Sequence, residues 1–362
     1  MLESSNNNQQ SLNNRENIIA PKDNTPFIKK IICFLLLMFI IVIALLILLN
    51  FMLDDSVPSD YSIKARYHCR GSSIALYSTL LKAKNLKIWV NGNVVSNNDR
   101  YYYGTGDIEV YFKMDISDCT SLSGMFEYTE LESITFTPHF NTSNIEDMSN
   151  LFYHCSNLKS IDVSHFDTRN VRDMSYMFYD CGELTSLNIA NFNTEKVTNM
   201  EYMFSGIKNI KSLNLSNFNT KNVVNMENMF YSSSFTSIDI SHFNTANVKY
   251  MRYMFSECRN LISIDISNFN TENVERMSYM FYSCYSLTSL DLSNFNTEKV
   301  NSFYSMFYYC KNLRNVDISS FTLKSDFSLF YNLPDSGTLI IKSEYKDKIR
   351  TIPSTWTIKT VD

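Results

Sequence analysis

The chain has 362 residues, 44% of them apolar and 19% charged, with a formal net charge of −5, a balance that belongs to folded proteins and excludes disorder over the full length. Its 32 Lys and Arg stand against 37 Asp and Glu, so no basic excess exists to drive binding to nucleic acid. Eight Gly, six Pro and eight Cys are too few for Gly-rich phosphate loops or a disulfide scaffold, and they point to a chain that turns with Asn, Asp and Ser.

Residues 1–30 are polar and Asn/Gln-rich without periodicity, as expected of a disordered tail. From Ile31 to Leu53 no charge occurs. At ~1.5 Å per residue that run reaches roughly 34 Å, enough for a bilayer core of about 30 Å. Lys29 and Lys30 precede it and Asp54 and Asp55 follow it. The positive-inside tendency therefore places the N-terminus in the cytoplasm and the rest outside, as in a single-pass type II signal anchor at the plasma membrane or cell surface. Cys33, at the entrance to the run, reads as an apolar filler.

Residues 54–114 are expected to form a juxtamembrane linker and a small β cap. Asn91-Gly92 sits between apolar stretches within 85–95, a hairpin signal, and 107–113 alternates cleanly between faces. A second cap is expected over 334–362, where Gly337–Ile341, a short helix-like stretch from Ser343 to Arg350, and Pro353–Trp356 break the period and should cover the last coil.

Between the caps, residues 115–333 repeat. Phe140, Phe166, Phe192, Phe218, Phe243, Phe269, Phe295 and Phe321 recur at steps of 26, with one step of 25 between Phe218 and Phe243, and seven of the eight are followed by Asn-Thr or Asp-Thr. A unit of this length cannot bury its own apolar face and must stack on its neighbours. In Leu287–Ser293 the side chains of Leu290 and Leu292 share one face, so a strand is expected there in every coil. Val274 and Met277 mark a second short extended stretch. Met277–Cys284 repeats apolar residues at i, i+3, i+4 and i+7, the spacing of a helical turn. Phe-Asn-Thr makes the corner, and stacking should turn Asn193, Asn219, Asn244, Asn270 and Asn296 into a ladder, with Asp167 as a variant rung.

Met-Phe-x-x-Cys-x-x-Leu, followed by Ser-Leu-Asp-Leu-Ser and Phe-Asn-Thr-x-Asn-Val, resembles the 26-residue repeat of the BspA-like leucine-rich-repeat surface proteins. The resemblance covers about residues 115–333 and departs from the pattern at Ile207 and Ser233, which replace the repeat Cys. It implies a right-handed parallel solenoid displayed on the surface of bacteria or unicellular eukaryotes, with adhesion or binding roles and no catalytic residues to transfer. The expected fold is mainly β with short helical turns, a capped leucine-rich-repeat-like solenoid preceded by one transmembrane helix.

Several columns follow from stacking. Cys155, Cys181, Cys258, Cys284 and Cys310 share one register and are expected as buried free thiols, whereas Cys69 and Cys119, outside the column, are candidates for an extracellular disulfide. Asp162, Asp239, Asp265, Asp291 and Asp317 form an outward carboxylate column; His139, His165 and His242 share another position, and neither is expected to hold a metal. Tyr176, Tyr202, Tyr253 and Tyr279 fill one column and Tyr153, Tyr179, Tyr231, Tyr282 and Tyr308 another beside it, both expected to point outward as candidate ligand-binding residues. Asn141 and Asn214 head candidate glycosylation sequons. Nothing in the sequence resembles a catalytic triad, a zinc motif or a Walker loop, so no enzyme activity and no cofactor are expected. The expected function is a membrane-anchored recognition or adhesion protein that binds an extracellular protein or glycan, the alternative being a structural coat or spacer.

Overall fold

Two columns of phenylalanine per coil decide how the repeat packs. In the computed structural model the first, Phe126, Phe152, Phe178, Phe204, Phe230, Phe255, Phe281, Phe307 and Phe330, is a continuous stack of near-parallel rings, with centroids 5.0–6.1 Å apart and interplanar angles of 1–17°. The second is the corner Phe of the Phe-Asn-Thr triplet, buried at all eight positions from Phe140 to Phe321. Met, Val and Leu columns fill the space between them, so one core runs the length of the array. The structure describes residues 25–52, 56–77, 83–95, 100–324, 328–349 and 351–362.

The chain divides into two units, Met1–Asp55 and Ser56–Asp362. In the first, α1 (Thr25–Met52) is a single 28-residue α-helix, and Phe34, Leu35, Phe39, Ile40, Leu45 and Leu46 are each more than half exposed. Among the described residues no helix is long and apolar enough to cross a membrane. The tail at 1–24 and Leu53 lie outside the described residues.

The second unit opens with β1 (Ile63–Ala75), β2 (Lys84–Val90), β3 (Asn93–Val95), β4 (Tyr101–Asp115), β5 (Leu131–Phe136) and β6 (Ser160–Asp162), in one sheet of order β3-β2-β4-β1-β5-β6. The pairs β2/β3, β2/β4, β1/β4 and β1/β5 are antiparallel, and β5/β6 is parallel, which is where the cap passes into the solenoid. Asn91 and Gly92 both have positive φ, 49° and 82°, as a two-residue hairpin turn demands. At the far end β7 (Ser289–Asp291), β9 (Asn315–Asp317), β11 (Thr338–Lys342) and β12 (Thr357–Val361) form a parallel sheet, while β8 (Phe307–Tyr308) pairs with β10 (Phe330–Tyr331). Ser343–Tyr345 is one 3-10 turn, shorter than the helix-like stretch expected to Arg350, which itself lies outside the described residues.

Three expectations about the coil need correction. Met277–Cys284 is not helical. Met280, Tyr282 and Cys284 donate their N–H to the carbonyls three residues back, but Tyr279, Phe281 and Ser283 donate to Tyr304, Met306 and Tyr308 of the next coil. Two residues per coil, here Tyr279 (φ 60°) and Ser283 (φ 59°), adopt the left-handed conformation, which helices exclude. Two tight turns in succession bury Met277, Met280, Phe281 and Cys284 on one side, and this mimics helical spacing. Nor does every coil carry a strand. In the coils between β6 and β7 the Leu-x-Leu segment makes no ladder among the described residues, and single bonds such as Thr236 N–H to Lys211 O (3.0 Å) remain.

The corner ladder is built by threonine rather than asparagine. Each Asn of the triplet accepts the N–H two residues on, as Asn193 Oδ1 does from Glu195 (2.9 Å), and so closes its own turn. The buried Thr crosses between coils instead. Thr168, Thr194 and Thr220 each donate Oγ1–H to the carbonyl of the next coil's Asn at 2.9–3.1 Å and accept that residue's N–H at 2.7–2.9 Å. In the 25-residue coil the chain is one residue shorter between Ser233 and Phe235, and Phe235 takes the place that Leu occupies elsewhere, edge-on to Phe230 at 6.0 Å.

The left-handed positions give a prediction in two directions. A non-Gly residue there costs about 1–2 kcal/mol. Ser283→Gly should therefore raise the urea midpoint by an amount equal to a few tenths to about 1 kcal/mol, after the extra chain entropy of glycine. Gly206 occupies the same column at φ 77°, with a would-be Cβ 3.0 Å from Asp180 Cα. Gly206→Ala should lower the midpoint.

Candidate ligand-binding face

Where the strand and corner columns serve packing, the turn face carries most of the tyrosines. The nine columnar tyrosines do line up, but all are half-buried rather than outward stripes. Tyr153 stacks on Tyr179 (4.9 Å, 10°) and Tyr176 on Tyr202 (4.6 Å, 16°); Tyr253 stacks on Tyr279 (4.5 Å, 12°) and Tyr282 on Tyr308 (6.0 Å, 12°). Tyr231 meets Tyr253 edge-on. Stacking uses up the ring faces, so what the ladder offers outside is ring edges and hydroxyls. Burial raises the hydroxyl pKa of Tyr176, Tyr179, Tyr202, Tyr231, Tyr279 and Tyr308, and a hydrogen bond with Tyr128 lifts that of Tyr153 to about 12. These phenols stay neutral at physiological pH.

Sequence reasoning passed over tyrosines at the ladder's ends. Tyr128, 64% exposed, stacks on His154 at 5.2 Å and meets Tyr153 edge-on, while Tyr304 and Tyr331 extend the ladder beyond Tyr279 and Tyr308. The ladder falls into two stretches, with Ser205 between Tyr179 and Tyr231 and Asn228 between Tyr202 and Tyr253. Glu201 accepts from Tyr176 Oη at 3.2 Å and from Asn225 Nδ2 at 3.1 Å. The Glu227 carboxyl is pushed up chiefly by burial, and its nearest cation is Arg276, at 3.8 Å.

Beside the ladder runs a column joined by single parallel bridges from Ser121 to Arg276, at the second extended stretch. Asp147, Asp173, Asn199 and Asn225 each accept the N–H two residues on at 2.8–3.1 Å; Ser121 and Ser302 do the same with Oγ at 3.1 Å. Tyr250 and Arg276 break the rule. Their signal was present in the sequence as two departures from a column otherwise made of Ser, Asp and Asn.

The remaining candidates resolve individually. Cys155, Cys181, Cys258, Cys284 and Cys310 are buried free thiols, and each donates S–H to the Phe carbonyl of the preceding coil at 3.0–3.1 Å. Ser233 keeps that bond with its hydroxyl (2.6 Å), so it is a conservative replacement for the repeat Cys. Burial pushes the thiols of Cys155, Cys258 and Cys310 up to about 12, and those of Cys181 and Cys284 well above their ordinary value. Cys69 is a buried free thiol on β1, and the bridge to Cys119 is not made. Asn141 and Asn214 are exposed, each side chain accepting the N–H of the Ser two residues on. The carboxylates of Asp162, Asp239, Asp265 and Asp291 are held below the usual range by Ser N–H and hydroxyl donors two residues on. Local donors therefore stabilise the charge of each carboxylate along that column. Among the described residues no cluster of His, Cys, Asp and Glu could hold a metal.

No curated protein matches the chain. Among solved structures it is similar to a leucine-rich repeat protein from Bacteroides ovatus ATCC 8483, with 17% identity and a TM-score of 0.36 over 74% of this chain and 67% of that one. One family model matches three overlapping segments, residues 99–211, 182–264 and 233–335, as a model of a repeated unit does when it slides along an array. Together they span more than half of the sequence, and the chain belongs to the family described as "Mycoplasma protein of unknown function, DUF285".

Proposed function

We propose that the chain is a membrane-anchored recognition protein of the BspA-like kind, holding its solenoid outside the cell against a protein or glycan. The observation that carries this reading is the two-stretch tyrosine ladder, which lays neutral hydroxyls along one face of a stiff array. Support for the anchor comes from the uncharged run at 31–53, the lysines before it and aspartates after it, and the exposed apolar side chains of α1. A coat or spacer is the second reading, favoured by the ring faces being spent on one another. The two separate on Tyr→Phe changes at Tyr176, Tyr202, Tyr253 and Tyr279, which keep the stack and remove the hydroxyls. Binding of the detergent-solubilised chain to host or sister cells should fall several-fold with an unchanged thermal transition; undiminished binding would leave the coat.

A further inference from the structure

The two coils that break the Ser/Asp/Asn column also bring two arginines, Arg252 and Arg276, to one pocket. Tyr250 and Arg276 give up a turn-closing side-chain bond that six other positions in the column make. In exchange the Arg276 guanidinium lies over the Tyr250 ring at 4.9 Å. Arg252, from the same coil as Tyr250, lies over Tyr253 at 4.9 Å. A guanidinium attracted to a ring face through its charge leaves N–H donors for a ligand. Arg276 donates no side-chain hydrogen bond to the described residues, its Nη1 standing 3.8 Å from the Glu227 carboxylate, and Arg252 makes only a long one to Tyr253 Oη at 3.5 Å. Giving up a local stabilising bond for unused donors is the pattern of a site rather than of packing.

Both arginines line one pocket of about 300 Å³, with Tyr279, Tyr304 and Asn301 among its other walls. That volume is at the small end of ligand sites and suits one or two sugar rings. Glu275 also lines it, 4.0 Å from Lys249, and Glu227 lies 3.8 Å from Arg276, so Arg252, Arg276 and Lys249 against two carboxylates leave an excess of one positive charge. Backbone N–H groups at this level are already committed to neighbouring coils, as Glu275 is to Lys249 O and Tyr279 to Tyr304 O. An extended peptide therefore finds no free edge to pair with, and recognition falls to side chains. Paired guanidiniums match a carboxylate, and ring edges, phenol and amide match sugar hydroxyls. We propose that this pocket binds a carboxylate-bearing saccharide of the uronic-acid type, which rests on the surface-recognition reading and gives it a ligand class.

The test uses the full chain in detergent micelles and three probes: trigalacturonate, neutral galactotriose and triglutamate. Trigalacturonate should bind at least tenfold tighter than the other two, and Arg252→Gln with Arg276→Gln should cost at least tenfold, while Arg172→Gln changes nothing. Equal affinity for galactotriose, tighter binding of triglutamate, or retention of affinity in the glutamine pair would each overturn the site. Should that pair lose its thermal transition, protection of Arg252 and Arg276 from phenylglyoxal by trigalacturonate replaces it, read by mass spectrometry, and absence of protection overturns the proposal equally. Arginine-dependent binding of trigalacturonate upholds the site even if no cell is bound, a result that would defeat only the wider reading.

Discussion

Phe230→Ala should destabilise the second unit by about 3–5 kcal/mol, the range for emptying a fully buried aromatic site. Phe230 is 1% exposed and stacked between Phe204 (6.0 Å) and Phe255 (5.6 Å). The ring is a link in a chain of rings, and coils touch only their neighbours, so the loss is felt as a break between two half-arrays. Urea unfolding followed by circular dichroism should show a lower midpoint and a transition that broadens or splits in two. A shift worth under about 1 kcal/mol with a single sharp transition would mean that the stack is not what couples the coils.

Thr220→Val is nearly isosteric and should cost about 2–3 kcal/mol. Its Oγ1 donates to Asn244 O and accepts from Asn244 N, both at 2.9 Å, so a methyl leaves a donor and an acceptor unpaired, at roughly 1–3 kcal/mol each before solvent reaches them. Thr220→Ser keeps the hydroxyl and should recover most of the loss. Thr288→Val, at an exposed position, should be nearly neutral. The amide of Asn244 should exchange faster in the Val variant than in the wild type; unchanged exchange would show that this N–H finds another partner.

Much of the architecture could be read from the chain because stacking turns a period into columns. The corner Phe, the inward Leu pair of Leu290 and Leu292, the cysteine register and the hairpin turn at Asn91-Gly92 all followed from spacing and residue type. Spacing could not separate a helix from two consecutive turns, since both bring Met277, Met280, Phe281 and Cys284 to one side. The distinction lies in the acceptors supplied by the next coil, which a single unit does not contain. For the same reason Asn looked like the corner's ladder residue while the buried Thr made the cross-coil bonds. Tyr279 and Tyr253 were legible as neighbours but not as stacked partners. Ring contact depends on the turn's left-handed backbone, an unfavourable choice for tyrosine that no propensity would anticipate. Arg252 and Arg276 escaped notice because they are exceptions to a column, and columns were read by their majority.

The threonine bridges have a bearing on how such a chain changes over generations. Every bond of this type joins a Thr to the Asn that precedes its equivalent in the next coil, as Thr194 reaches Asn219 and Thr220 reaches Asn244. Excising or duplicating one whole period rejoins like with like, so the rod can lengthen or shorten by a rung without any surviving bridge losing its mate. An insertion of fewer residues turns inward side chains out from that point on. Gain and loss of complete units is thus the tolerated form of variation, and the Arg252–Arg276 pocket, whose walls come from three successive rungs, is the kind of feature that a single deletion erases.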